Sequence, residues 1–101
     1  MEKRIFYYWY KIVSLGYYPI PTKLTQKNSK DGIQYQIPDN YSIETEIFRI
    51  KIRCETKYQP NGKVRFIIIW KDENNTEWSI YSDRSATSVV GEFLKVQYFI
   101  N

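Results

Sequence analysis

The chain has 101 residues, a net charge of +4, one cysteine, no histidine and 18% aromatic residues. This length supports a single domain with one modest core. The missing histidine removes Ser-His-Asp and Cys-His catalysis and most zinc sites, and a lone cysteine excludes an internal disulfide.

Cys54 without a partner thiol points to an intracellular, reducing compartment. Ten tyrosines and three tryptophans are more large rings than one small core hides, so some belong at a surface or interface. The start, Met1 to Phe6, imitates a signal peptide, but Lys11 interrupts the apolar part and no small-residue cleavage site follows. The longest strongly apolar run, Phe66 to Trp70, falls far short of the roughly 20 residues of a membrane span.

In chain order, the apolar and aromatic region Ile5 to Leu15 comes first. Its residue types favour a strand, while Ile5, Trp9, Ile12 and Gly16 also fit a short helix ended by glycine. The strand is preferred, because the Tyr-Tyr-Trp-Tyr run at 7–10 forms helix poorly. Tyr17 to Asn40 reads as a long connection broken by Pro19, Pro21 and Pro38, with room for a short strand from Ile33 to Ile37. A connection of this length in a small domain has either a binding role or disorder as its explanation.

From Ile43 the pattern tightens, and Phe48 to Trp70 reads as two alternating strands joined by Gln59-Pro60-Asn61-Gly62. Phe48, Ile50, Ile52 and Cys54 face one way; Arg49, Lys51 and Arg53 face the other. Pro60 suits the first corner of a type I turn, Asn61 the second, and Gly62 the left-handed residue after it. This three-residue loop with a glycine bulge pairs Tyr58 with Val64, Thr56 with Phe66, Cys54 with Ile68 and Ile52 with Trp70. A one-residue slip would set apolar side chains against charged ones. A second three-residue loop, with Asn75 left-handed, pairs Trp70 with Trp78 and Ile68 with Ile80.

Ser85 or Asp83 can cap a helix running to about Gln97, in which Ala86, Val89, Val90, Phe93 and Val96 recur at helical spacing. Gly91 within it points to close packing on the sheet. The expected fold is α+β: an antiparallel β-meander of three or more strands with one C-terminal helix packed on one face. The end directly after the helix, at Phe99-Ile100-Asn101, is what a fragment of a longer protein would show.

Chemistry has few footholds. Cys54 lies on the apolar face without an activating base. Glu44 and Glu46 share a strand face as solvated carboxylates, and Asp72, Glu73 and Glu77 sit at a hairpin tip with too few ligands for a metal. No enzyme, cofactor or metal is expected.

The charged face is more informative. The register sets Lys57 opposite Arg65 and Lys51 opposite Lys71, and like charges so placed cost roughly 0.2–1 kcal/mol per pair. Arg49, Lys51, Arg53, Lys57, Lys63 and Arg65 are the candidate nucleic-acid-binding residues, with Glu55 the nearby acid and phosphate the natural counter-charge. A solvated face that discourages edge pairing is the alternative. The same face carries Ile67, Ile69 and Tyr81 in its middle. These residues either form a small second core covered by the N-terminal aromatics Phe6 to Tyr10, or, with Tyr8 and Tyr10, a contact patch for another protein, including a second copy, or a surface that stacks on unpaired bases.

The run Phe48-Arg-Ile-Lys-Ile-Arg, then Phe66-Ile-Ile-Ile, then Trp78-Ser-Ile-Tyr-Ser-Asp-Arg-Ser-Ala-Thr and a helix resembles the FYR-type (Phe/Tyr-rich) region of chromatin regulators. Ala86 stands where that family often has Pro and Val90 where it has Trp, and Leu15-Gly16-Tyr17-Tyr18-Pro19 is only loosely like its Pro-x-Gly-Tyr stretch. The resemblance covers about half the chain. It implies a nuclear domain that pairs with another protein segment and performs no catalysis. The element order also resembles DNA-binding sheets that enter the major groove. The leading expectation is a non-catalytic module binding nucleic acid through its basic sheet face; the other is a protein-interaction or dimerisation module of a chromatin-associated protein.

Overall fold

A computed structural model describes residues 9–100, with the side chains of Phe99 and Ile100 left aside. Five strands follow in order: β1 (Tyr10–Ser14), β2 (Ser42–Ile47), β3 (Ile50–Tyr58), β4 (Val64–Lys71) and β5 (Glu77–Ser82). A helix, α1 (Ala86–Ile100), closes the chain. Each strand pairs antiparallel with its sequence neighbours, giving the sheet order β1-β2-β3-β4-β5. The meander with a C-terminal helix is thus present, with two strands on the N-terminal side of the expected hairpins.

The β3–β4 register is the one dictated by its turn. Thr56 faces Phe66, Cys54 faces Ile68 and Ile52 faces Trp70. Gly62 has φ +84° and donates to the Gln59 carbonyl at 2.9 Å, while the Gln59 amide donates to the Lys63 carbonyl at 2.8 Å. In the next hairpin Trp70 faces Trp78, and Asn75 takes φ 62°.

Phe48 and Arg49 depart from expectation. They are the two corner residues of a tight β2–β3 turn closed by Ile47 and Ile50, with φ of 52° and 64°. Two positive φ values are the mark of a type I′ turn, which favours Asn-Gly and carries a steric cost for residues with a bulky side chain. Phe48 is therefore 74% exposed and not in the core, and Arg49 sits at a tip outside the charged face. Replacing Phe48-Arg49 with Asn-Gly is expected to stabilise the domain by about 1–2 kcal/mol, since each left-handed residue with a Cβ costs roughly that much. A urea midpoint that fails to rise at constant m-value would count against this turn.

The core lies between the sheet and α1. Phe93 and Ile68 are fully buried, with Ile52, Trp70 and Val89 close behind. The Phe93 ring meets Trp70 edge-on at 4.9 Å between centroids. Ser85 caps the helix, its Oγ accepting the Ser88 amide hydrogen at 3.0 Å. Gly91 is not a close-packing point, because a Cβ built there meets nothing within 4 Å. Trp78 is on the helix side but half exposed, at the edge of the cover.

Residues 15–41 between β1 and β2 form an arm folded back on itself. Its two limbs are bridged at Tyr17–Asp39 and Leu24–Gln36 and tied by Thr25 N–H to the Tyr35 carbonyl at 2.8 Å. The expected strand from Ile33 to Ile37 is reduced to the isolated Gln36 bridge. The base of the arm is anchored to β3. Tyr58 Oη donates to the Ile37 carbonyl at 2.7 Å and accepts the Lys23 amide at 2.8 Å, and Asp39 Oδ1 accepts the Tyr58 amide at 2.9 Å.

Candidate interaction surfaces

Alternation along the paired strands assigns each side chain to a face. The outer face, away from α1, carries Lys11 of β1, Glu44 and Glu46 of β2, Lys51, Arg53, Glu55 and Lys57 of β3, Arg65, Ile67 and Ile69 of β4, and Tyr81 of β5. Glu55 is on this face as expected, but it is not the only acid beside the basic residues. Strand β2 sets Glu44 directly opposite Arg53 and Glu46 directly opposite Lys51, and Lys11 faces Glu44 from the other side. Opposite charges in facing positions favour the sheet and lower the positive potential available to a phosphate.

The six candidate basic residues are dispersed. Arg49 is at the turn tip, Lys51 and Arg53 are exposed mid-strand, and Lys63 follows the Gly62 turn. Lys57 does face Arg65, but its Nζ donates to Asn40 Oδ1 at 2.8 Å. Arg65 is committed to Asp83, with Nε and Nη2 donating to the two carboxylate oxygens at 3.0 and 3.3 Å. It also stacks on the Tyr81 ring, with Cζ 3.9 Å from the centroid. The Arg65 hydrogen bonds hold the Asp83 carboxyl below the usual carboxylate range. The like-charge strain between Lys57 and Arg65 is thus relieved from both sides.

The apolar centre of this face is smaller than expected. Ile67 and Ile69 are half-buried, and Tyr81 is exposed beneath the Arg65 guanidinium. Tyr10 does not cover them. It faces Thr45 on β1–β2, at the far edge of the sheet and on the opposite face, so it forms no common patch with Ile67, Ile69 and Tyr81. Tyr8 lies outside the described residues.

At the end of the sheet where the 47–50 and 71–77 turns approach, an open cleft of about 1120 Å³ is lined by Phe48, Trp78 and eight charged side chains. Four of these are cationic and four carboxylate, so the cleft has no single sign to select a ligand. Asp72 at its rim accepts the Trp78 indole hydrogen at 2.9 Å, which lowers its pKa together with the Thr76 and Asn74 amides. Burial pushes the Cys54 thiol up, away from nucleophilic use. No group of acidic, cysteine or histidine side chains among the described residues can hold a metal. No helix among them is long and apolar enough to cross a membrane.

The inner face holds what the sequence concealed. Among the described residues, the backbone of helix α1 lies over β4 and β5, and its side chains Val89 and Phe93 share the core cluster with Ile52 at the near margin of β3. A helix with its side chains is about 10 Å wide and strands are spaced about 4.8 Å apart, so one helix covers two strands of a five-stranded sheet and shelters part of a third. Ile52 of β3 is sealed at that margin. Beyond it the same face continues through half-buried Ile43 on β2 to Tyr10 and Ile12 on β1, which are 64% and 48% exposed. Leu15 and Tyr17, just past the strand, are more than half exposed. Adjacent apolar residues at 12, 13 and 15 are the signal that belongs to this strip, but assigning it to the helix side requires the β1–β2 register, which the long arm hides. Comparison with family models, with curated proteins and with solved structures finds no match to this chain.

Proposed function

We propose that this chain is a non-catalytic protein-interaction module that takes an apolar protein segment on the strip of the inner face left open by α1. The observation that carries this reading is the mismatch between one helix and five strands, which among the described residues leaves Tyr10 and Ile12 exposed and Ile43 only half-buried at the β1–β2 end of the inner face. The resemblance of the Phe48-to-helix segment to FYR-type regions supports the same class, a nuclear domain that pairs with another protein segment.

A second reading rests on one feature of the opposite face. Lys51 and Arg53 share that face, Arg49 lies at the adjoining turn tip, and all three are exposed and form no ion pair within 4.0 Å among the described residues, so a phosphate backbone has three nearby cations to neutralise.

Site-specific photo-cross-linking tests both readings. A photoreactive amino acid is placed at Ile12 or at Arg53, and cells making the protein are irradiated. Protein adducts at position 12, at least tenfold above those at position 53, are the expected result. Equal or no protein adducts at 12 would sink the interaction reading, and nuclease-sensitive adducts confined to position 53 would establish the second in its place.

A further inference from the structure

We infer that the segment taken by the open strip is the 15–41 arm of a second copy of this chain, so that two copies exchange arms reciprocally. The inference rests on the interaction reading above and names its partner.

Three observations lead to it. First, the arm carries apolar side chains with nothing to bury them. Ile20 is 99% exposed, Tyr35 64%, Leu24 51% and Ile33 45%. An apolar arm and an apolar strip therefore coexist in one molecule.

Second, neither buries the other within that molecule. The base of the arm is fixed at Thr56 and Tyr58, through the Pro38 and Ile37 carbonyls. The strip spans the rung that joins Tyr10, Thr45 and Ile52 and the rung that joins Ile12, Ile43 and Cys54. Cys54 is two residues from Thr56 and four from Tyr58, so anchor and strip are neighbours along β3, about 7–13 Å apart. Yet Ile12 stays 48% exposed and Ile20, Leu24 and Tyr35 more than half exposed, so the arm does not bury the strip of its own chain. A two-fold arrangement satisfies both surfaces at once, because whatever one copy donates it also receives.

Third, the exposed area has the size a dimer needs. The chain exposes 8376 Å², where a compact monomer of 12.3 kDa exposes roughly 6100 Å². The nine residues outside the described range account for at most about 160 Å² each, the share of a fully unfolded residue. At least about 800 Å² of excess therefore belongs to the described fold. A stable interface takes about 800 Å² from each partner. The Cα radius of gyration, 15.1 Å against roughly 13 Å for a compact chain of this length, agrees.

The test is sedimentation equilibrium of purified full-length protein combined with variant mixing. One variant, Ile20→Ser/Leu24→Ser, alters only exposed arm positions. The other, Ile12→Lys, alters the strip, and unchanged far-ultraviolet circular dichroism shows that both are folded. The wild type is expected to dimerise at micromolar concentration and each variant to dissociate at least tenfold more readily. Mixing the two variants should restore dimer, because the intact arm of one meets the intact strip of the other.

A wild-type monomer at hundreds of micromolar would overturn the inference, as would a dimer indifferent to both variants or variants that weaken it without rescue on mixing. A monomer that still gives protein adducts at position 12 removes the second copy as partner and leaves the interaction reading standing. A monomer with no such adducts removes both.

Discussion

Phe93→Ala is expected to cost about 3–5 kcal/mol of folding stability, the range for deleting a buried aromatic ring whose cavity does not collapse. The ring is completely buried and wedges edge-on against Trp70, with Ile52, Ile68 and Val89 in the same cluster. Since α1 is the cover of the core among the described residues, the cavity would open where the helix is held to the sheet. A domain of this size has roughly 5–15 kcal/mol in total, so a third or more would go. Thermal denaturation should show a midpoint lower by about 15 °C or more. Phe48→Ala, at an exposed turn, should shift stability by no more than about 0.5 kcal/mol. Comparable losses from the two substitutions would mean that α1 does not form the lid of this core.

Gly16→Ala is expected to be nearly as damaging, for a reason that has nothing to do with apolar burial. Gly16 has φ +66°, and a Cβ there would collide with the Asp39 carbonyl oxygen and lie 2.8 Å from the Tyr41 nitrogen. These are backbone atoms fixed on both sides. Tyr17 and Asp39 exchange amide hydrogen bonds at 3.0 and 2.7 Å, and the Asn40 amide donates to the Thr56 carbonyl at 3.0 Å. Nothing yields cheaply, so the substitution should cost about 2–4 kcal/mol from strain and overpacking combined. The damage should be local, and hydrogen exchange should show the Tyr10–Ser14 amides losing protection while β3 and β4 keep theirs. Gly32→Ala, with similar φ but open space around it, isolates the conformational part at about 1 kcal/mol. Equal losses at the two glycines would show that the Asp39 contact is not the cause.

Local chemistry explains which parts of this fold were readable from the chain. Pro60-Asn61-Gly62 fixed a single register, because each residue suits one corner of one turn and a slip would invert the faces. Ser85 and the spacing of Val89 and Phe93 marked the helix for equally local reasons. The β2–β3 turn was missed because Phe48-Arg49 carries none of the Gly, Asn or Pro punctuation of a turn. Its trace was the adjacent apolar pair Ile47-Phe48. Two apolar neighbours shift the alternation from odd positions (Ile43, Thr45, Ile47) to even ones (Ile50, Ile52, Cys54), which is what a two-residue turn does. Missing it hid β2 as a separate strand, and with it the glutamates that face Arg53 and Lys51. The open strip was illegible for a longer-range reason, since the pairing of Ile12 with Ile43 crosses the whole arm.

That crossing also bears on how the chain finds its structure. Strands β2 to β5 and α1 each meet the next element across a short turn, so their contacts form early and cheaply. Strand β1 must close a loop through residues 15–41, at an entropic cost roughly 2 kcal/mol above that of a two-residue turn. The rungs at Tyr17–Asp39 and Leu24–Gln36 divide this loop into smaller closures. The arm thus acts as a zipper that draws the first strand onto the second, and the surface it presents to the outside is the back of that zipper.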